Sequence, residues 1–271
     1  MEDEVVMEIL QPDIACFAVL DGHGGQFCSH WGAEELPRRL RQTVSVESVS
    51  GADEARQVAQ QLSKTIRQMD ADLRMCGRSA WACGSTLVVL LITRHSLTVA
   101  NLGDSRAVLC RAGVALPLSR DHKPRSAAER QRILQAGGFI VDGRVNGDLS
   151  LSRALGDFRH KSIAHLPASK QPVSAEPEVR CTARLRSDHF VVLACDGVWD
   201  VMSSADVVAF IASFLERGHP TLSVEGCCNK DHSCGGAGTE SIDAREEHRV
   251  AIGLICEALL DECLRRGSTG E

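Results

Sequence analysis

Three apolar, strand-like runs of this chain each end in an aspartate: Ile14–Leu20 runs into Asp21-Gly22, Leu97–Leu102 into Gly103-Asp104, and Phe190–Ala194 into Cys195-Asp196-Gly197. A single Asp-Gly is ordinary turn chemistry, because Gly accepts positive φ and Asp bonds its own backbone. Three such endings, each behind a run too apolar for an exposed edge, constrain the fold further. Carboxylates held at sheet ends are the rigid oxygen ligands that a hard divalent cation such as Mg²⁺ or Mn²⁺ takes. The three acids are therefore expected to converge on one cleft.

The rest of the chain is read as one domain spanning 1–271, since no Pro/Ser-rich linker divides it and a hydrophobic content of 44% is ample for a core. A formal charge of −6 argues against a nucleic-acid partner. No run approaches the apolar length of a membrane span, and the acidic Met-Glu-Asp-Glu start carries no apolar segment of a secretory signal. The 12 cysteines are irregularly spaced, and Cys16, Cys110, Cys195 and Cys256 sit inside apolar runs. They read as buried free thiols of an intracellular chain, cytoplasmic or nuclear. A monomer is expected.

Periodicity predicts a helix from Gly24 to Thr43 that is interrupted or ended near Pro37. A clearer one covers Ala52–Met75, where Ala55, Val58, Leu62, Ile66, Met69 and Leu73 recur at helical steps. Leu87–Ile92, Leu97–Leu102 and Ala107–Arg111 read as short antiparallel strands. Ser126–Ala136 reads as a polar helix halted by Gly137-Gly138, and Ser203 with Asp206 as the cap of a helix through Leu215. A last helix is expected from about Arg249 to Arg266. Strand blocks separated by helix blocks indicate an α+β class. Residues 218–247 lack periodicity and read as a flexible insertion. Its Cys227, Cys228, His232 and Cys234 are zinc-type ligands, but their spacing is too cramped for a closed tetrahedral site.

Several blocks, in order along the chain, carry a resemblance: Met1-Glu2-Asp3, Phe17 through Gly25, Gly84-Ser85-Thr86, Asn101 through Arg106, Asp121-His122-Lys123-Pro124, Arg144 through Asp157, Ser174 through Glu178, and Leu193 through Met202. Together they resemble the type 2C, metal-dependent Ser/Thr protein phosphatases. The resemblance implies two antiparallel β-sheets packed as a sandwich and flanked by α-helices. It implies two Mg²⁺ or Mn²⁺ ions and phosphorylated protein substrates. By the same resemblance Asp21 bridges both ions with the Gly22 carbonyl as a further ligand, Glu2 and Asp196 hold the second ion, and Asp3 orients the attacking water. Asp104, with Asp196, resembles the ligand set of a weaker third ion.

His23 follows the bridging acid by two residues. An imidazole there suits a general acid that protonates the leaving seryl or threonyl oxygen, and the competing interpretation is a turn histidine bonded to backbone or to a carboxylate behind it. Arg153 and Asp157 are candidates for the substrate cleft, with a structural salt bridge as the alternative. Two parts of the family pattern lie outside the chain as written: an arginine four positions before Glu2, which clamps the phosphate, and an Asp-Asn pair with a closing strand after Arg266-Gly-Ser-Thr. A metal-dependent phosphatase domain incomplete at both termini, and impaired in that form, is the expectation. The alternative is an inactive pseudophosphatase that serves as a protein-binding scaffold.

Overall fold

The computed structural model describes residues 2–45, 51–216 and 242–269. The chain separates into two compact units, Met1–Ala112 with Leu116–Asp196, and Gly113–Ala115 with Gly197–Glu271.

The first unit is organised by a five-stranded antiparallel sheet. Its strands are β1 (Glu4–Gln11), β2 (Ile14–Leu20), β5 (Leu87–Ile92), β6 (Ser96–Leu102) and β9 (Glu178–Ala183), in that order across the sheet. The Leu-Val-Val-Leu-Leu-Ile run of β5 is apolar at every position because both of its faces are covered. On one face Leu87, Val89 and Leu91 pack with Leu36 and Leu40 of α1 (Phe27–Thr43) and with Val58, Leu62, Ile66 and Met69 of α2 (Gly51–Leu73). On the other face Val88 and Leu90, with Leu97 and Val99 of β6, meet Ala107 and Leu109 of β7 (Arg106–Arg111). Strand β7 pairs antiparallel with β10 (Asp188–Ala194), whose Val191 and Leu193 join the same core. Two antiparallel layers with helices outside are the expected α+β sandwich.

Some boundaries differ from the sequence expectation. Helix α1 runs through Pro37 to Thr43 because Leu36, Pro37 and Leu40 are all buried, and that packing outweighs the backbone hydrogen bond a proline cannot donate. Strand β1 was not legible: Val5, Met7 and Ile9 on its outward face are exposed at 61%, 73% and 67%, the reverse of a buried-strand pattern. The expected helix of Ser126–Ala136 is α3 (Ala127–Gln135).

Helix α3 is fastened by a buried acid. Glu129 accepts hydrogen bonds from Arg132 at 2.6 Å, Ser152 Oγ at 2.7 Å and Arg153 Nη2 at 2.7 Å. Arg132 donates onward to the Gln171 carbonyl at 3.1 Å and Arg153 to the Glu176 carbonyl at 2.8 Å. Burial alone would raise the Glu129 pKa, but Arg153, Arg132 and Ser152 hold it down to about 2.

In the second unit, Ser203 and Asp206 form the expected reciprocal cap, with Ser203 Oγ donating to Asp206 at 2.7 Å and Asp206 N–H donating back at 3.1 Å. They open α4 (Ser204–Glu216), which packs with α5 (Ile242–Arg265). Helix α5 begins at Ile242, so the last residues of the expected 218–247 insertion are helical, and the helix starts before Arg249. Residues 218–241, including the four potential zinc ligands, lie outside the described residues. None of the described cysteines is in a disulfide. Cys16 and Cys110 are buried as expected, whereas Cys195 is half-buried and Cys256 exposed. Among the described residues no helix is long and apolar enough to cross a membrane.

Glu129→Ala would strand two arginines that are largely withdrawn from water. It is expected to cost about 3–5 kcal/mol in denaturant unfolding, the usual penalty for breaking a buried pair. A loss within 0.5 kcal/mol, as at ordinary surface sites, would show that the network does not hold α3.

Candidate functional site

Asp21 leaves the end of β2, and its place is set by backbone and hydroxyl bonds. Its N–H donates to Thr86 Oγ1 at 3.0 Å, and Thr86 N–H donates to the Asp21 carbonyl at 2.8 Å. Thr86 Oγ1 also bonds Ser105 Oγ at 2.7 Å, tying the first Asp-bearing turn to the second. That second turn is clamped from below: His122 N–H donates to the Gly103 carbonyl at 2.9 Å, and Gly103 N–H donates to His122 Nδ1 at 3.2 Å. Arg106 grips Asp121 with two bonds of 2.9 and 2.8 Å. Asp104, nearly free of solvent contact, is paired with Lys123.

Two of the three strand-end acids, Asp21 and Asp196, meet, and the charge of the third, Asp104, acts on Asp21. Ligand atoms of Asp21, Cys195 and Asp196 all lie within 4.8 Å of one another. Cys195 Sγ donates to Asp3 Oδ2 at 3.6 Å, which brings the N-terminal acid to the same place. Burial first, and then the charges of Asp196, Asp3 and Asp104, push the Asp21 pKa from 3.8 to about 7, with His23 pulling the other way. Glu2 lies against this group through its backbone. Its carbonyl accepts from Ser29 Oγ at 2.5 Å and would be only 2.5 Å from a Cβ on Gly22, so residue 22 has no room for a side chain. The Glu2 carboxylate accepts from Gly25 N–H at 3.2 Å.

His23 and Asp157 meet across a small three-stranded sheet in the order β8 (Leu155–Gly156), β4 (Gly84–Ser85), β3 (Gly22–His23). Gly84 is the central residue, opposite both His23 and Gly156. Asp157 follows Gly156 in a left-handed turn at φ 51° and is buried. Its Oδ2 lies 2.8 Å from His23 Nε2. A Cβ at residue 84 would stand 2.2 Å from Asp157 Oδ2 and 2.5 Å from His23 Nε2, so the pair occupies the space that a side chain there would fill. Burial disfavours the imidazolium, but the Asp157 bond and charge, helped by Asp21 and Asp104, outweigh it and raise the His23 pKa above 6.5.

Of the two cleft candidates, Asp157 is therefore the partner of His23. The Arg153 guanidinium is instead committed to Glu129 and the Glu176 carbonyl, the structural alternative. Four participants were not legible as such in the sequence: Gly84, the Thr86–Ser105 hydroxyl pair, Lys123 and Cys195. A separate cavity of about 550 Å³, lined by Ala55, Arg56, Ala59 and Ser63 of α2 and by Val179 and Cys181 of β9, contains none of the acids.

A family profile described as Protein phosphatase 2C matches residues 7–271. The chain belongs to the protein phosphatase 2C family. Human "Probable protein phosphatase 1N" is 39% identical over 259 residues, covering 96% of this chain and 52% of that protein. "Protein phosphatase 2C homolog 2" of Schizosaccharomyces pombe is 36% identical over 257 residues, covering 95% of this chain and 60% of that protein. A solved structure described as a C. elegans sex determining protein superposes with a TM-score of 0.73 at 26% identity, over 98% of this chain and 58% of the other. The chain thus spans little more than half the length of these relatives.

The donor set suits a hard cation. It is rich in carboxylate oxygen, and burial together with the neighbouring charges of Asp196, Asp3 and Asp104 pushes the Asp21 pKa up to about 7. Between 3.8 and about 7 the folded chain keeps a proton on Asp21 that the unfolded chain releases, so stability falls as pH rises through that window. His23 acts in the same sense, because its raised pKa contributes stability that is complete below 6.5 and lost as pH climbs through the folded value. Glu129 and Glu178, both held down to about 2, have made their contribution well before pH 5. The melting temperature of chelator-treated protein is therefore expected to fall from about pH 5 to about pH 7.5. Asp21→Asn should flatten the decline. An Asp21→Asn profile as steep as the parent's would show that the acid cluster is not its source.

Proposed function

We propose that this chain is a divalent-metal-dependent protein phosphatase that hydrolyses phosphoserine and phosphothreonine esters. The observation that carries this reading is the meeting of Asp3, Asp21, Asp104 and Asp196 beside a half-buried His23 paired with the buried Asp157, in a member of the phosphatase 2C family. Asp21 with the Gly22 carbonyl, Glu2 and Asp196 would hold two Mg²⁺ or Mn²⁺ ions, and Asp104 with Asp196 a weaker third. Such ions, when bound, neutralise phosphoryl oxygens and make hydroxide available at neutral pH.

The protein's own groups have distinct tasks. Asp157 accepts at His23 Nε2, which fixes the ring and leaves Nδ1 as the atom that delivers a proton to the departing seryl or threonyl oxygen. The Asp157 bond and charge, with Asp21 and Asp104, overcome burial and raise the His23 pKa, which favours the protonated ring. Asp3 orients the water that attacks phosphorus in line with the leaving oxygen. Cysteines outside disulfides among the described residues favour a reducing compartment, cytoplasm or nucleus. Phosphorylated proteins are the expected partners.

His23→Ala should slow hydrolysis of a phosphoseryl peptide by roughly 10²–10⁴-fold, the usual worth of general acid catalysis. p-Nitrophenyl phosphate releases a stable phenolate and should lose much less. Equal losses on both substrates would remove His23 from the role of proton donor. Gly84→Ala should reproduce the same substrate selectivity, because its Cβ displaces Asp157 or the imidazole. Absence of any Mg²⁺- or Mn²⁺-dependent turnover would overturn the enzymatic reading in favour of a binding scaffold that retains the fold.

A further inference from the structure

Asp104 differs from the other acids of the cluster in having a protein cation beside it. The Asp104 side chain is 3% exposed, and Lys123 reaches its Oδ2 while remaining 41% exposed itself. The two turns that carry them are pinned together. His122 exchanges two hydrogen bonds with Gly103, the residues just before Lys123 and Asp104, and Arg106 holds Asp121 bidentately. Asn101 Nδ2 adds a bond to the Gly103 carbonyl at 3.2 Å and another to the Arg120 carbonyl at 2.9 Å. The backbone on both sides is fixed, so the lysine is aimed at the acid.

A carboxylate this buried needs a counter-charge. A lysine ammonium is a well-hydrated point charge on a flexible stem, and a half-exposed one can move into water at little cost. Asp104 also raises the pKa of Asp21, so its charge acts on the acid cluster as well as on Lys123.

We propose that Lys123 is a built-in counter-ion that competes with a divalent cation for the Asp104 carboxylate and so sets the affinity of the weakest cation position in the cluster. This rests on the metal-dependent reading above. Without a divalent ion the ammonium keeps Asp104 compensated and the fold intact. A cation that takes Asp104 must displace or share it with the ammonium, which weakens that position relative to those served by Asp21 and Asp196.

The test is Mn²⁺ titration of the whole chain by calorimetry, with free Mn²⁺ followed by electron paramagnetic resonance, in the parent, Lys123→Gln, Lys123→Arg, Asp104→Asn and the Asp104→Asn/Lys123→Gln double variant. Lys123→Gln should tighten the weaker class of sites by roughly tenfold, the scale expected on removing one like charge a few ångströms from a partly exposed cation. The tighter class should stay at the parent value, and Lys123→Arg should behave as the parent. In the Asp104→Asn background the lysine substitution should change nothing. Metal-free Lys123→Gln should melt below the parent and gain more from Mn²⁺, and a variant that folds only with Mn²⁺ supports the inference equally. Unchanged weak-site affinity, tightening that persists without Asp104, or failure to fold even in saturating Mn²⁺ would each overturn it. Failure of the parent to bind Mn²⁺ at all is a different result, and it would overturn the metal-dependent reading on which the inference stands.

Discussion

Mutual repulsion among half-buried carboxylates at the ends of β2 and β10 is the constraint around which the first unit is built. Asp21 feels Asp196, Asp3 and Asp104 together, on top of its own desolvation. No isolated turn would hold four acids so close, because each would rotate toward water. The turns are therefore fixed by bonds that leave the side chains little choice: Thr86 to Asp21, Thr86 to Ser105, and His122 to Gly103. Gly84-Ser85-Thr86 and Asp104-Ser105-Arg106, distant in sequence, are parts of one scaffold. The stored repulsion makes the site a receptor for positive charge.

The His23–Asp157 pair solves a different problem. A histidine beside carboxylates would be charged, yet burial opposes that charge, and Asp157 decides the balance through a 2.8 Å bond. The bond exists because the central strand of the small sheet is glycine at the crossing point and because Asp157 accepts a left-handed backbone just after Gly156. A backbone approach of this kind depends on the absence of a side chain, so its functional residue is one with no functional group. His23 is thus positioned by the sheet and tuned by a carboxylate 134 residues further along the chain.

Rigidity for both arrangements comes from the two sheet layers. Strand β5 is buried on both faces, so movement of a strand end would disturb two cores at once. The Glu129 network performs the equivalent service for the segment that leads from α3 to Asp157, where a charged knot replaces a hydrophobic core. Arg153 is part of that knot and supports the site from behind.

Much was legible in the chain itself. The run of β5, the helical stripe of α2 and the Ser203–Asp206 cap follow from periodicity and local bonding, because local sequence dictates those patterns. The Asp-bearing strand ends were also visible, since residue type and position are both printed in the sequence. The meeting of Asp21 with Asp196 and the raised pKa of Asp21 belong to the tertiary structure, because distance and desolvation arise only when separate turns meet. Strand β1 was hidden because its Val5, Met7 and Ile9 face outward, against the pattern of a buried strand. Arg153 and Asp157 share one polar stretch. Their side chains went to opposite tasks, one to Glu129 and one to His23, and only the arrangement of partners from α3 and the small sheet could make that choice.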